Sequence, residues 1–175
     1  MPYALPRFRT LFVHVAATAL LAGGPALAEP GKSRPPATEQ SPFLGAWELD
    51  LTRMPDSYGP PPKRVTFTFQ DVGSGQWRTE IDIVAPDDSV RQTAVQYRRD
   101  GKMAPGEGDT READSAAFSS PAPNVLVMGL AKNKMLGAVR VYTVSADGKE
   151  MIESAVNIDD KGAPFVRSFH FRRVR

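Results

Sequence analysis

The 175-residue sequence contains no cysteine. Disulfides, thiolate metal sites, iron–sulfur clusters and thiol nucleophiles are excluded together, so packing alone must stabilise the fold. Histidine is nearly as scarce, with only His14 and His170. A serine–histidine relay has no accompanying partner motif, and a histidine-built metal site has no ligand set. No apolar run reaches the ~20 residues of a spanning helix, since the longest, 11–21, stops at Gly23, Gly24 and Pro25. Charge of one sign is not in excess either: 22 Lys and Arg stand against 20 Asp and Glu. A nucleic-acid footprint needs a large, clustered basic excess, and there is none.

The N-terminus reads as a secretory signal peptide over 1–28. Arg7 and Arg9 supply the basic start, 11–21 the apolar segment, and Ala26-Leu27-Ala28 the small-residue cleavage site. No cysteine follows, so a lipoprotein anchor is excluded and the expected compartment is periplasmic or secreted. Removing Arg7 and Arg9 from the 22 basic residues leaves 20, equal to the acidic count. Residues 29–41 are polar, proline-containing and aperiodic, and read as a disordered lead. The remaining 42–175 are long enough for one domain with a real core.

That segment is organised around 45–52, Gly-Ala-Trp-Glu-Leu-Asp-Leu-Thr. Trp47, Leu49 and Leu51 fall on one face and Glu48 and Asp50 on the other, the period of a half-buried strand. Similar alternation marks strands over 65–70, 77–84, 90–98, 125–130, 135–145, 150–158 and 164–174, with a weaker one at 113–119. Short turns such as Asp100-Gly101 and Asp147-Gly148 join most of them. Two longer connections interrupt the rhythm. The first, 53–63, contains three successive prolines and predicts a stiff connector across one end, with a lid as the alternative. The second, 103–112, reads as an acidic loop. Consecutive antiparallel strands with no convincing helix predict an all-β, up-and-down antiparallel barrel of about 8–10 strands, closed so that no edge is left unpaired.

On these residues the chain resembles the lipocalin-like (calycin) proteins. Gly45 and Trp47 match their Gly-x-Trp on the first strand, and the run 43–69 is similar to a group of small exported bacterial proteins with a proline-rich first loop. The resemblance implies that Trp47 plugs the closed end. It also implies that an arginine near the end of the last strand packs across the indole; Arg173, sharing a face with Phe169 and Phe171, is the candidate. The Thr-Asp-Tyr motif of the core lipocalins is missing, which removes any expectation of the receptor roles tied to that turn.

The remaining motifs carry little chemistry. His170 alternates with phenylalanines and shares the outer, wetter parity with Ser168 and Arg172. Glu107, Asp109, Glu112 and Asp114 do not follow the spacing of a calcium loop, and Gly106-Glu107-Gly108-Asp109 lacks the lysine of a phosphate cradle. No catalytic constellation, cofactor motif or metal site is expected. Arg91, Gln92, Gln96 and Arg98 put polar groups on both faces of one strand, unlike an outer-membrane barrel. The inward parity instead collects Trp47, Phe67, Phe69, Ile83, Tyr97, Met128, Phe169 and Phe171. A barrel of this size either fills with such side chains or leaves room for one small ligand. The sequence therefore predicts a non-enzymatic exported protein holding a small hydrophobic or amphipathic molecule among those residues. The alternative is an envelope structural or protein-interaction module with a filled interior.

Overall fold

The computed structural model describes residues 40–174. The expected signal peptide (1–28) and the polar lead as far as residue 39 lie outside the described residues. Ten strands follow in order: β1 (Gly45–Leu49), β2 (Arg64–Gly73), β3 (Gln76–Val84), β4 (Val90–Tyr97), β5 (Asp100–Gly108), β6 (Ser115–Ala122), β7 (Val125–Lys132), β8 (Met135–Val144), β9 (Glu150–Ile158) and β10 (Pro164–Val174). Each pairs antiparallel with its sequence neighbour, and β1 closes on β10, giving the closed up-and-down barrel that the alternation predicts.

β2 illustrates why the sequence adopts this form. Val65, Phe67 and Phe69 are buried, whereas Thr66 and Thr68 between them are half-buried. β-branched and aromatic residues fit a pleated surface with one dry face, and the same parity carries through the ladder into β3. Tight turns set the register. Asn133 and Lys134, between β7 and β8, both take positive φ (51° and 67°), as a two-residue hairpin turn requires.

β5 corrects the reading of 103–112 as a loop. Gly101, Pro105, Gly106 and Gly108 give the segment little strand character of its own. Its ladder to β4 is brief (Thr93–Val95 against Gly106–Gly108), and its ladder to β6 is bulged between Asp100 and Met103. Closing the gap between β4 and β6 therefore specifies this strand more than its composition does.

The closed end is built on Trp47. The indole is fully buried, its Nε1 donates to the Phe43 carbonyl at 2.8 Å, and Arg173 lies with its guanidinium carbon 4.2 Å from the ring centroid. Trp47 and Arg173 are register partners across the β1–β10 seam. The guanidinium also donates to the carbonyls of Pro42, Leu44 (2.6 Å) and Gly148 (2.8 Å), fastening the lead into β1 and the β8–β9 turn to one side chain. Gly45 makes room for it. At φ 111° a side chain is disfavoured, and a Cβ there would stand 3.0 Å from Arg173 Nη1. Phe43, Phe69, Phe118, Leu126, Val144 and Met151 complete a solid core above the indole.

The opposite end is shaped by the first connection. Two short 3-10 turns, Leu51–Arg53 and Asp56–Tyr58, fold it back onto β10. The Tyr58 ring packs 5.3 Å from Phe169, and its hydroxyl accepts from the Ser168 N–H at 3.0 Å. Arg53 pairs with Glu150, which also meets His170 Nδ1 at 2.9 Å. The His170 contact and the Arg53 pair hold the Glu150 carboxyl below its usual range. His170 is thus a half-buried strut on the outer wall. The prolines go beyond the expected stiff connector, because Pro60 and Pro62 form part of the interior wall described next.

Candidate functional site

Above the solid core the barrel is hollow. A cavity of about 410 Å³ lies between the side chains and is open to solvent beside the loops opposite Trp47. That volume falls within the range of small-molecule sites. Its wall is mainly apolar: Leu49 of β1, Val65 and Phe67 of β2, Ile81 and Ile83 of β3, Met128 and Leu130 of β7, and Phe169 and Phe171 of β10. Met54, Pro60 and Pro62 of the first connection close part of the mouth. A smaller hollow of about 40 Å³ shares Ile81, Thr93, Met128 and Leu130 with it and extends toward Phe118.

The eight residues read as interior divide between these two levels. Phe67, Ile83, Met128, Phe169 and Phe171 line the cavity. Trp47, Phe69 and Tyr97 do not reach it, because they belong to the packed half below. Tyr97 stacks on Phe118 with ring centroids 3.5 Å apart, and its hydroxyl is already bonded to Thr79 at 2.9 Å. Burial pushes its pKa up to about 12, so it stays a neutral hydroxyl.

A polar cluster that the sequence reading did not single out sits in the same wall. On β8 the inward parity runs Arg140, Tyr142, Val144, and on β9 it runs Met151, Glu153, Ala155. Tyr142 lies directly across the ladder from Glu153. Arg140 Nη2 donates to Glu112 of the β5–β6 connection at 2.7 Å, while its Nε stands 3.6 Å from Glu153 Oε1. Arg140, Tyr142, Glu153 and Glu112 all line the cavity.

The electrostatics follow from burial. Glu153 is 7% exposed, and desolvation raises its carboxyl to about 7 against the pull of Arg140, with the charge of Glu112 adding to the rise. Burial opposes the charge on Arg140, yet Glu153 and Glu112 outweigh it and raise the guanidinium further. Tyr142 is buried, and desolvation followed by the Glu153 charge pushes its hydroxyl well above the ordinary range. That hydroxyl has no hydrogen-bond partner, and Glu153 accepts no hydrogen bond among the described residues. A buried hydroxyl without a partner, next to a carboxylate whose only counter-charge stands at 3.6 Å, is costly in an empty barrel. A visible signal existed in the sequence, since Glu153 is a lone carboxylate between Met151 and Ala155 on the dry parity. It was masked by Ile152 and Val156 on the other face, which make both faces of β9 look apolar.

The acidic residues of 107–114 separate. Glu107 pairs with Arg78 at 3.0 Å, Asp109 with Arg111 at 2.6 Å, Glu112 with Arg140, and Asp114 accepts from Ser115 and the Asn133 N–H. Among the described residues no three acidic or histidine side chains gather where a metal ion could be held.

No family model matches the chain, and no curated protein matches it in sequence. Among solved structures, it is similar to a crystal structure of a point mutant of the fluorescent protein UnaG. The TM-score is 0.53 at 13% identity, over 77% of this chain and 97% of that one. What the chain shares with that protein at such an identity is its fold.

Proposed function

We propose that this barrel binds a small amphipathic molecule in its interior, without chemical change to it. One observation carries the reading: an open cavity of about 410 Å³ whose apolar walls surround a small, incompletely satisfied polar group of Arg140, Tyr142 and Glu153. Apolar surface supplies the driving force, at ~25 cal/mol per Å² removed from water, and the few polar groups fix orientation. Fluorescent alkyl probes should be taken up with one-to-one stoichiometry, and organic extraction of freshly purified protein should release a lipid-like compound. Leu130→Trp, which places an indole in the cavity, should weaken probe uptake about tenfold or more. Probes that bind neither protein, with an empty extract, would instead favour the scaffold reading, in which the barrel displays its loops to an envelope protein.

The same proposal includes export, supported by the 1–28 signal pattern and a fold that needs no reducing compartment. Protein recovered from a bacterial host should begin at Glu29 by N-terminal sequencing and fractionate outside the cytoplasm. An intact Met1 start in the cytoplasm would refute that part alone.

A further inference from the structure

We infer that the molecule held in this barrel presents a hydrogen-bond-donating, cationic head, a protonated amine, to Glu153, and not a carboxylate or phosphate to Arg140. The inference rests on the binding reading above and narrows it to a ligand class.

Arg140 is already partnered, and Glu153 is not fully so. Arg140 is the cation beside Glu153 that an anionic head could use, and its charge is already answered from two sides by Glu112 at 2.7 Å and Glu153 at 3.6 Å. Displacing Glu112 would leave that carboxylate without its partner. Glu153 is in the opposite condition. It is 7% exposed, lines the cavity, and receives no donor at hydrogen-bonding distance among the described residues. A buried carboxylate with empty lone pairs is the group most improved by an incoming N–H donor.

Charge balance points the same way. Around Glu153 stand one cation, Arg140 of β8, and one further carboxylate, Glu112; the uncharged Tyr142 faces it across the ladder and Phe169 neighbours it on β10. The cluster carries one positive and two negative charges when Glu153 is ionised. An ammonium brings it to neutrality, whereas an anion doubles the excess. Arg91 of β4 also lines the cavity and makes no ion pair of its own among the described residues, but its charge acts on Asp109 and not on Glu153.

The surrounding side chains also suit a cation. Tyr142, paired with Glu153 across the ladder, has a buried hydroxyl without a partner and adds no charge that would compete for the head. The Phe67, Phe169 and Phe171 rings line the cavity, and aromatic faces attract ammonium but not carboxylate.

The test compares three probes with the same decyl chain, decylamine, decanol and decanoate, by calorimetric titration of the full mature protein at about pH 8, where the amine is cationic and the acid anionic. Decylamine should bind about tenfold or more tighter than decanoate, with decanol between them. Glu153→Gln should cost the amine about tenfold and leave decanol within about threefold. Decanoate binding as well as decylamine, or an amine affinity indifferent to Glu153→Gln, would overturn the inference while leaving the binding reading intact. Failure of all three probes would overturn both. The ranking in the unaltered protein does not depend on how well the variant folds.

Discussion

Trp47→Ala should lower the stability of the barrel by about 3–5 kcal/mol, the range for removing a fully buried large aromatic side chain. The expectation is set by what the indole touches. Its removal empties the space at the closed end that Phe43 and Phe69 pack around, with those two rings 5.9 Å apart in an edge-to-face contact. The Phe43 carbonyl loses its 2.8 Å donor, and an orphaned buried acceptor costs about 1–3 kcal/mol where water cannot replace it. Arg173 loses the ring it covers at 4.2 Å, a contact worth roughly 0.5–2 kcal/mol. These losses overlap, because all act through one collapse, and they do not add. Trp47→Phe separates them, restoring apolar volume without the N–H, and should fall between wild type and alanine. Urea unfolding followed by circular dichroism measures the series. A loss below about 1 kcal/mol for alanine would mean that the closed end is held by the Arg173 hydrogen bonds and not by the indole.

The parts of this molecule that were legible in its sequence are those where one physical demand acts alone. β2 needs only to put Val65, Phe67 and Phe69 on one face, so its period is clean. Trp47 and Arg173 were paired through the resemblance together with the parity of β10, and the two side chains meet across the β1–β10 seam. Where demands conflict, the sequence becomes opaque. β5 carries glycines and Pro105 because it must bulge and pass close to its neighbours; a Cβ on Gly108 would lie 2.3 Å from the Gln92 carbonyl oxygen. The polar cluster was hidden for a different reason. Arg140 and Glu153 occupy inward positions that composition assigns to apolar residues, while Val139, Val141, Ile152 and Val156 cover the outer face of the same strands. Parity could place Tyr97 inside but not its depth, and depth decides whether a residue meets the solid core or the cavity.

Depth also decides what Glu153 does to stability. Its carboxyl is raised to about 7 in the folded barrel from an ordinary value of 4.5. Between those two values the folded chain binds a proton that the unfolded chain has lost, so stability falls as pH rises through the interval. Below pH 4.5 both states are protonated and the group contributes nothing. Above pH 7 both are ionised, and the empty barrel bears the full cost of the buried charge, about 3 kcal/mol at 1.36 kcal/mol per unit of pKa. Glu153→Gln removes that charge and keeps the shape. It should therefore stabilise the unliganded barrel by up to about 3 kcal/mol at pH 8, with the gain vanishing near pH 4.5. Removing one partner of a buried ion pair usually has the opposite sign, because the other charge is stranded. Arg140 escapes that fate because it keeps Glu112 as a partner at 2.7 Å. Urea midpoints of both proteins at pH 4.5 and pH 8 decide the matter. A variant less stable than wild type at pH 8 would mean that the Arg140–Glu153 attraction outweighs desolvation. It would also remove the energetic reason for a cationic head, since an ionised carboxylate already satisfied by Arg140 has little to gain from a second cation.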